Sequence, residues 1–285
     1  MQYTALMIDI MDSRKIDKRN RTVVQYFIKT ALQALNALFK PSLVFDVIFS
    51  AGDEMQGLFD NTCSAVLYFR LMKMLLLPLG VRCGIGVGDW DIQIQDGLST
   101  EQDGPAYHRA RTAIKRAHET TTMPVLLHSG NEADLPVNTL LNASCLLSQK
   151  QSRYQNRIQL LIELLLPFYD ETLMAKDQFS YLCSLLHERE KITFFTGNQK
   201  EKRIIFNESI DWIALQDPIF IFDDSLFLDH MVIESTIKKG TSTKLAKITK
   251  TTRQNMDNVI RKADIQMIRN IDLTALYVIH KFSKR

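Results

Sequence analysis

The 285-residue sequence predicts an α+β fold, and three features predict it. In the first 130 residues, short apolar runs bounded by Gly, Asp and Pro alternate with longer stretches of helical period. Two of those runs, Val47–Phe49 and Met55–Phe59, are close enough to form a hairpin through Ala51-Gly52-Asp53. Beyond Pro136 the helical period takes over. The elements of the first part read strand, helix, strand, strand, helix, strand. That is the order of the split βαβ, ferredoxin-like sheet with helices. A mainly helical C-terminal part follows.

Tyr3–Ile10 is a compact apolar strand with Asp9 near its end, and Asp12-Ser13-Arg14 is a turn. From Asn20 to Phe39, Val24, Phe27, Ile28, Ala31, Leu32, Leu35 and Leu38 mark one face of a helix that Pro41 stops. The hairpin follows, then a helix over Thr62–Leu77 ended by Pro78 and Gly80. Val81–Gly88 is a strand with three glycines, so a bend or a close backbone approach is needed there. Trp90–Gln95 alternates like a paired strand. Gly104–Glu119 is a helix with Ala106, Ala110, Ala113 and Ala117 along one side, and Pro124–His128 adds a strand. Ser129–Pro136 marks a boundary. Helical patterns cover Asn138–Gln149, Arg153–Leu166 and Lys176–Arg189, and Lys191–Phe206 reads as a hairpin around Gly197-Asn198. Asp217–Asp224 is acidic and aromatic, with no role evident. Three regions result: 1–130, 131–230 and 231–285.

Composition bounds the function. Hydrophobic residues are 46% and charged residues 24%, ordinary for a globular chain with a core. The net charge of +3 is uneven: residues 231–285 carry 12 Lys/Arg against 4 Asp/Glu, so the first 230 are net acidic. A basic end segment suits a polyanion. Cys63, Cys83, Cys145 and Cys183 form no C-x-x-C pair and read as buried thiols of a reducing compartment. Asp9 interrupts the only apolar run near the start, so no signal peptide is expected. Leu71–Val81 is broken by Lys73 and Pro78 and is too short to span a bilayer. A cytoplasmic protein with no membrane partner is expected.

The chemistry centres on carboxylates. In a split βαβ sheet the third strand lies antiparallel beside the first, which brings the hairpin tip to the first strand's end. Asp9 and Asp53 should then face each other, with Glu54 adjacent. Carboxylates brought together repel unless they share a cation, and hard oxygen ligands suit Mg²⁺ or Mn²⁺. The bland alternatives are a solvated hairpin tip and an Asp9 that caps the next turn.

Leu6–Asp12 followed by A-G-D-E-M at Ala51–Met55 resembles the diguanylate-cyclase pattern of a strand-end Asp and a GGDEF hairpin. V-R-C-G-I-G-V-G at Val81–Gly88 and G-P-A-Y-H-R-A-R at Gly104–Arg111 resemble class III nucleotidyl cyclases, which share the palm-like ferredoxin fold. All four motifs in this order most closely resemble the bacterial SatD family, with a cyclase-like N-terminal part and a helix-turn-helix C-terminal part. The resemblance covers residues 3–120 closely and the rest loosely. It implies metal binding by Asp9, Asp53 and Glu54, and a catalytic role for Arg111 against transition-state charge, for which a two-pronged guanidinium is suited. It also implies nucleotide contacts at Gly52, Gly104 and Tyr107, with a nucleoside triphosphate or other nucleotide as ligand, and leaves room for a homodimer. Three positions depart from the cyclase pattern. Tyr107 stands where those enzymes have Asn, Phe49 where the base-selecting Lys lies, and Ala51 at the first Gly of GGDEF. The metal site looks kept while the base pocket does not. Arg111 has a plainer reading too, as part of a solvated helix face with Arg109, Lys115 and Arg116.

Thr241–Ala263 has the spacing of a helix-turn-helix. Ala246 is the small residue where the two helices cross, and Met256 and Val259 face the core. Thr252 caps the second helix, and Arg253, Gln254 and Asn255 point outward at its N-terminal end, where base edges are read. Lys250 occupies the turn position that usually carries Gly; the basic end segment favours DNA over a merely solvated face. Three readings follow: a regulator binding a metal–nucleotide complex and DNA; an active nucleotidyl cyclase or nucleotidyltransferase that cyclises a triphosphate with two metal ions; and a scaffold with structural carboxylates.

Overall fold

The computed structural model describes residues 2–11, 13, 16, 18–94, 96–120, 122–192, 204–207, 209–228 and 231–283. Asp12, Arg14, Gln95 and the Gly197-Asn198 hairpin tip lie outside the described residues. The chain is α+β with a mixed five-stranded sheet. Its strands are β1 (Tyr3–Ile10), β2 (Leu43–Ala51), β3 (Glu54–Phe59), β4 (Val81–Gly88) and β5 (Val125–His128). They lie in the order β2-β3-β1-β4-β5. Neighbours are antiparallel except β4 and β5, which are parallel.

Period-2 alternation sorts the strands onto two faces. Leu6, Ile8, Ile10, Met55, Phe59, Cys83 and Ile85 join the large core with α1 (Lys18–Leu38) and α2 (Thr62–Leu76). Ala5, Met7 and Leu58 face α3 (Pro105–Glu119) through Ala106, Tyr107, Ala110 and Ile114. The glycines of β4 belong to this second face. A Cβ on Gly86 would sit 2.1 Å from both the Ala106 carbonyl oxygen and the Ala110 nitrogen, and one on Gly84 2.3 Å from the Ala110 carbonyl oxygen. The close approach that these glycines require is therefore with α3, whose alanines meet bare backbone.

The remaining helices are α4 (Asp134–Gln149), α5 (Arg153–Leu165), α6 (Phe179–Arg189), α7 (Thr241–Ile248), α8 (Arg253–Lys262) and α9 (Ile265–Ser283). α9 lies on α4 and α2, and α5 touches α2, α7 and α8. α2 is apolar around nearly its whole circumference because it is covered on all sides. At its centre Arg70 donates two hydrogen bonds of 2.6 Å to Glu163 of α5 and one of 2.6 Å to Asp272 of α9. Arg269 of α9 pairs with the same Glu163 and donates to the Leu166 carbonyl at 2.6 Å. Both guanidiniums stack over the Phe168 ring, at 4.8 and 4.3 Å from its centroid.

Among the described residues of Trp90–Gln95 no paired strand forms, and Ile92 makes an isolated bridge to Asp103. The segment is pinned instead by side chains: Trp90 Nε1 donates to the Ile92 carbonyl at 2.8 Å, and the Gln102 amide bonds both backbone groups of Ile94. Asp217–Asp224 gains a place it lacked: Ile219–Phe220 pairs with Phe168–Tyr169, and Asp217 accepts from Lys238 at 2.5 Å. Among the described residues no helix is long and apolar enough to cross a membrane.

Candidate functional site

The hairpin end gathers the predicted carboxylates. The β1–β3 register sets Asp9 directly opposite Glu54, and the β1–β4 register sets it opposite Arg82. By alternation all three lie on the α3 face. Asp53 is one residue along, in the turn. Gly52 has φ 64°, and its position is open, with nothing within 4 Å of a would-be Cβ. A glycine is used here for its left-handed backbone rather than for space. Asp53 and Gly52 also line a cleft of ≈ 270 Å³ on the α1 side, with Ser13, Arg21 and Phe49.

Electrostatics at Asp9 is a contest. Burial is the larger influence that pushes its carboxyl above the ordinary range, and the Asp53 charge adds to it. His118 Nε2 at 3.3 Å and Arg82 Nη1 at 3.5 Å pull the other way. The first two prevail. By formal charge, Asp9, Asp53 and Glu54 outnumber the one guanidinium and one imidazole that pair with Asp9, which fits a hard divalent cation. Among the described residues no group of three or more His, Cys, Asp or Glu is arranged to hold a metal ion alone. A cation here would complete its shell with water and phosphate oxygens, as Mg²⁺ commonly does.

The other predicted residues lie elsewhere. Gly104 begins α3 at φ 145°, where a Cβ would meet the Asp91 nitrogen at 2.7 Å and the Asp89 carbonyl oxygen at 2.8 Å. Its need for glycine is a matter of chain closure. Tyr107 is buried against the sheet, its hydroxyl 3.3 Å from Ser99 Oγ, and burial pushes that hydroxyl up to about 12. Tyr107 and Arg111 line a second cleft, ≈ 310 Å³, with Gln56, Asp103 and His108. Arg111 is exposed at this cleft, which is separate from the one that Asp53 lines.

At the C-terminal end, Lys250 adopts φ 50°, the left-handed turn geometry in which Gly is the usual choice. Thr252 caps α8 by accepting from the Asn255 nitrogen at 3.2 Å. Arg253 and Gln254 are exposed, and Arg253 reaches Asp257 at 3.5 Å. Asn255 is half-buried. Ala246 and Met256 are buried where α7 and α8 meet.

Arg82, His118 and Gln56 were missed by motif reasoning. The first had a signal, since β4 alternation places it opposite the buried Cys83 and Ile85. The other two depend on how α3 and its preceding loop lie over the sheet.

A model of the SatD family matches residues 3–187. One solved structure similar to the chain is that of a bacterial light-regulated adenylyl cyclase, at 12% identity, TM-score 0.32, covering 46% of this chain and 43% of that one. At that score the likeness carries no argument about activity. Among curated proteins none matches.

Proposed function

The chain belongs to the SatD family, and from that premise we propose that it is a regulatory protein binding a divalent-metal–nucleotide complex at the hairpin end and DNA through α7 and α8. The order β2-β3-β1-β4 supports reading the sheet as ferredoxin-like and palm-like. The observation that carries the nucleotide half is the register that sets Asp9 opposite Glu54 with Asp53 next along the turn, three carboxylates against Arg82 and His118. Asp9, Asp53 and Glu54 would hold Mg²⁺ or Mn²⁺, and the bound ion would let anionic phosphates approach three carboxylates. Tyr107 supports binding without turnover, because its hydroxyl is spent on Ser99 inside the fold.

Asp53→Asn should remove Mn²⁺-dependent binding of a nucleoside triphosphate, measured by calorimetry on the full chain. The metal-free variant should melt at the same temperature as the parent or higher. The raised Asp9 carboxyl means the native state holds that proton to higher pH than the unfolded chain, so stability is lost as pH rises past the ordinary carboxylate range. Removing the Asp53 charge lessens that loss. Clear destabilisation of the metal-free variant would assign Asp53 a structural hydrogen-bonding role instead.

The DNA half is tested on the full chain, because α9 is anchored by buried Arg269. Affinity for duplex should fall steeply with salt as Lys247 and Lys250, both exposed, displace counterions. Replacing Arg253 and Gln254 by Ala should weaken a selected site by about 1–3 kcal/mol and leave random duplex nearly unchanged. Equal losses on both duplexes in anisotropy titrations would reduce α8 to a phosphate-binding element.

A further inference from the structure

Gln56 sits on β3 two residues after Glu54, on the same face of the sheet, about 7 Å farther along at about 3.4 Å per residue. It is 4% exposed and lines the ≈ 310 Å³ cleft with Tyr107 and Arg111. Its Nε2 donates to the Ser99 carbonyl at 2.8 Å, and because a carbonyl only accepts, that contact fixes which end of the amide faces inward. Its Oε1 has no hydrogen-bond partner among the described residues. That oxygen is not one of the buried unpaired side-chain atoms of the fold, so it opens onto the cleft, where a ligand's donor can take the place of water. The surroundings are built to keep it there: Ser99 is itself 1% exposed, and its hydroxyl is held by Tyr107. α3 lies over β4 and β1, while the turn Ser99–Glu101 lies over β2 and β3. Gln56 is in the gap between them. Arg111, with no ion-pair partner among the described residues, stands at the rim.

We propose that this cleft takes the nucleoside end of the nucleotide, and that Gln56 selects the base by accepting a hydrogen bond from a base N–H. The inference rests on the metal–nucleotide reading and adds to it the residue that would choose among bases. The spacing suits it, because Glu54 and Gln56 project from the same face of β3 about 7 Å apart. Phe49 lines the other cleft, on the α1 side, and is not among the residues that line this one. A pocket that offers a fixed acceptor discriminates strongly against a base lacking the matching donor, since the acceptor is then buried unpaired.

The test compares Mn²⁺ complexes of the four common nucleoside triphosphates with Mn²⁺–tripolyphosphate, which has no nucleoside, by calorimetry on the full chain. The parent should prefer some triphosphates over others. Gln56→Met should lose about tenfold on the preferred triphosphate, the worth of one hydrogen bond with its buried partner, and bind tripolyphosphate as the parent does. That unchanged binding also shows the variant folded. Equal affinities of parent and Gln56→Met for every triphosphate would overturn the inference while leaving the metal–nucleotide reading intact. Failure of the parent to bind even tripolyphosphate would overturn both.

Discussion

Glu163→Gln should lower the unfolding free energy by about 3–5 kcal/mol, the usual effect of removing one partner from a buried ion pair. Glu163 is 1% exposed and serves two guanidiniums, Arg70 at 5% and Arg269 at 0%. Without its charge Asp272 alone must answer both, and among the described residues Asp272 is hydrogen-bonded to Arg70 but not to Arg269. The hub joins α2, α5 and α9, so the loss should appear as a lower denaturant midpoint together with faster proteolysis around α9. Burial pushes the Glu163 carboxyl up, but Arg269 and Arg70 outweigh it, and the net shift is downward. A carboxyl lowered in the native state stabilises above its unfolded value and loses that contribution as pH falls through the native one. The parent should therefore loosen in acid more steeply than Glu163→Gln. A midpoint shift worth under about 1 kcal/mol would mean that water or relaxation satisfies the arginines, and the hub would not be what fixes α9.

Gly86→Ala is the second large effect. The new methyl would stand 2.1 Å from backbone atoms of α3, which cannot swing aside as a side-chain end can. Overpacking of this kind costs about 1–3 kcal/mol, occasionally more. Here α3 must lift from β4, taking His118 away from Asp9 and opening the Arg111 cleft. Gly52→Ala is the control. Its position is open, so only the left-handed backbone is penalised, by about 1–2 kcal/mol. Both variants lose stability, but only Gly86→Ala should disturb the contacts of α3, visible as loss of amide protection along 105–119. Equal protection in the two variants would contradict the close α3–β4 packing.

The strands and long helices of the first 130 residues were legible because a half-buried strand and an amphipathic helix write their periods directly into the sequence. Asp9, Asp53 and Glu54 were legible as a group for the same reason, since hairpin geometry alone brings them to one end. Partners were harder. Arg82 beside Asp9 follows from the β1–β4 register, which alternation does not fix, and His118 arrives only because three glycines let α3 lie flat. Trp90–Gln95 misled because polar side chains holding a loop, Gln102 above all, left the same alternating trace as a strand. The charge count of the end segment did not reveal which cations are paired. Arg269 is buried on Glu163, Lys238 is paired with Asp217 and Lys281 with Asp224. Less unpaired positive charge remains there than the net of +8 suggests.

The bond from Arg70 to Asp272 closes over 202 residues. At about 5–20 residues per second of synthesis, α2 leaves the ribosome about 10–40 s before α9 exists to cover it. Through that interval a helix apolar on nearly every side, with a guanidinium at its centre, has only part of its final surroundings. The sheet can form early, but the surface of α2 that α9 will occupy stays available to chaperones, or to other nascent chains, until the far end of the chain arrives. Where translation pauses along residues 76–265 will set how long that surface waits, so codon choice well downstream of α2 becomes a determinant of yield for a helix it does not encode.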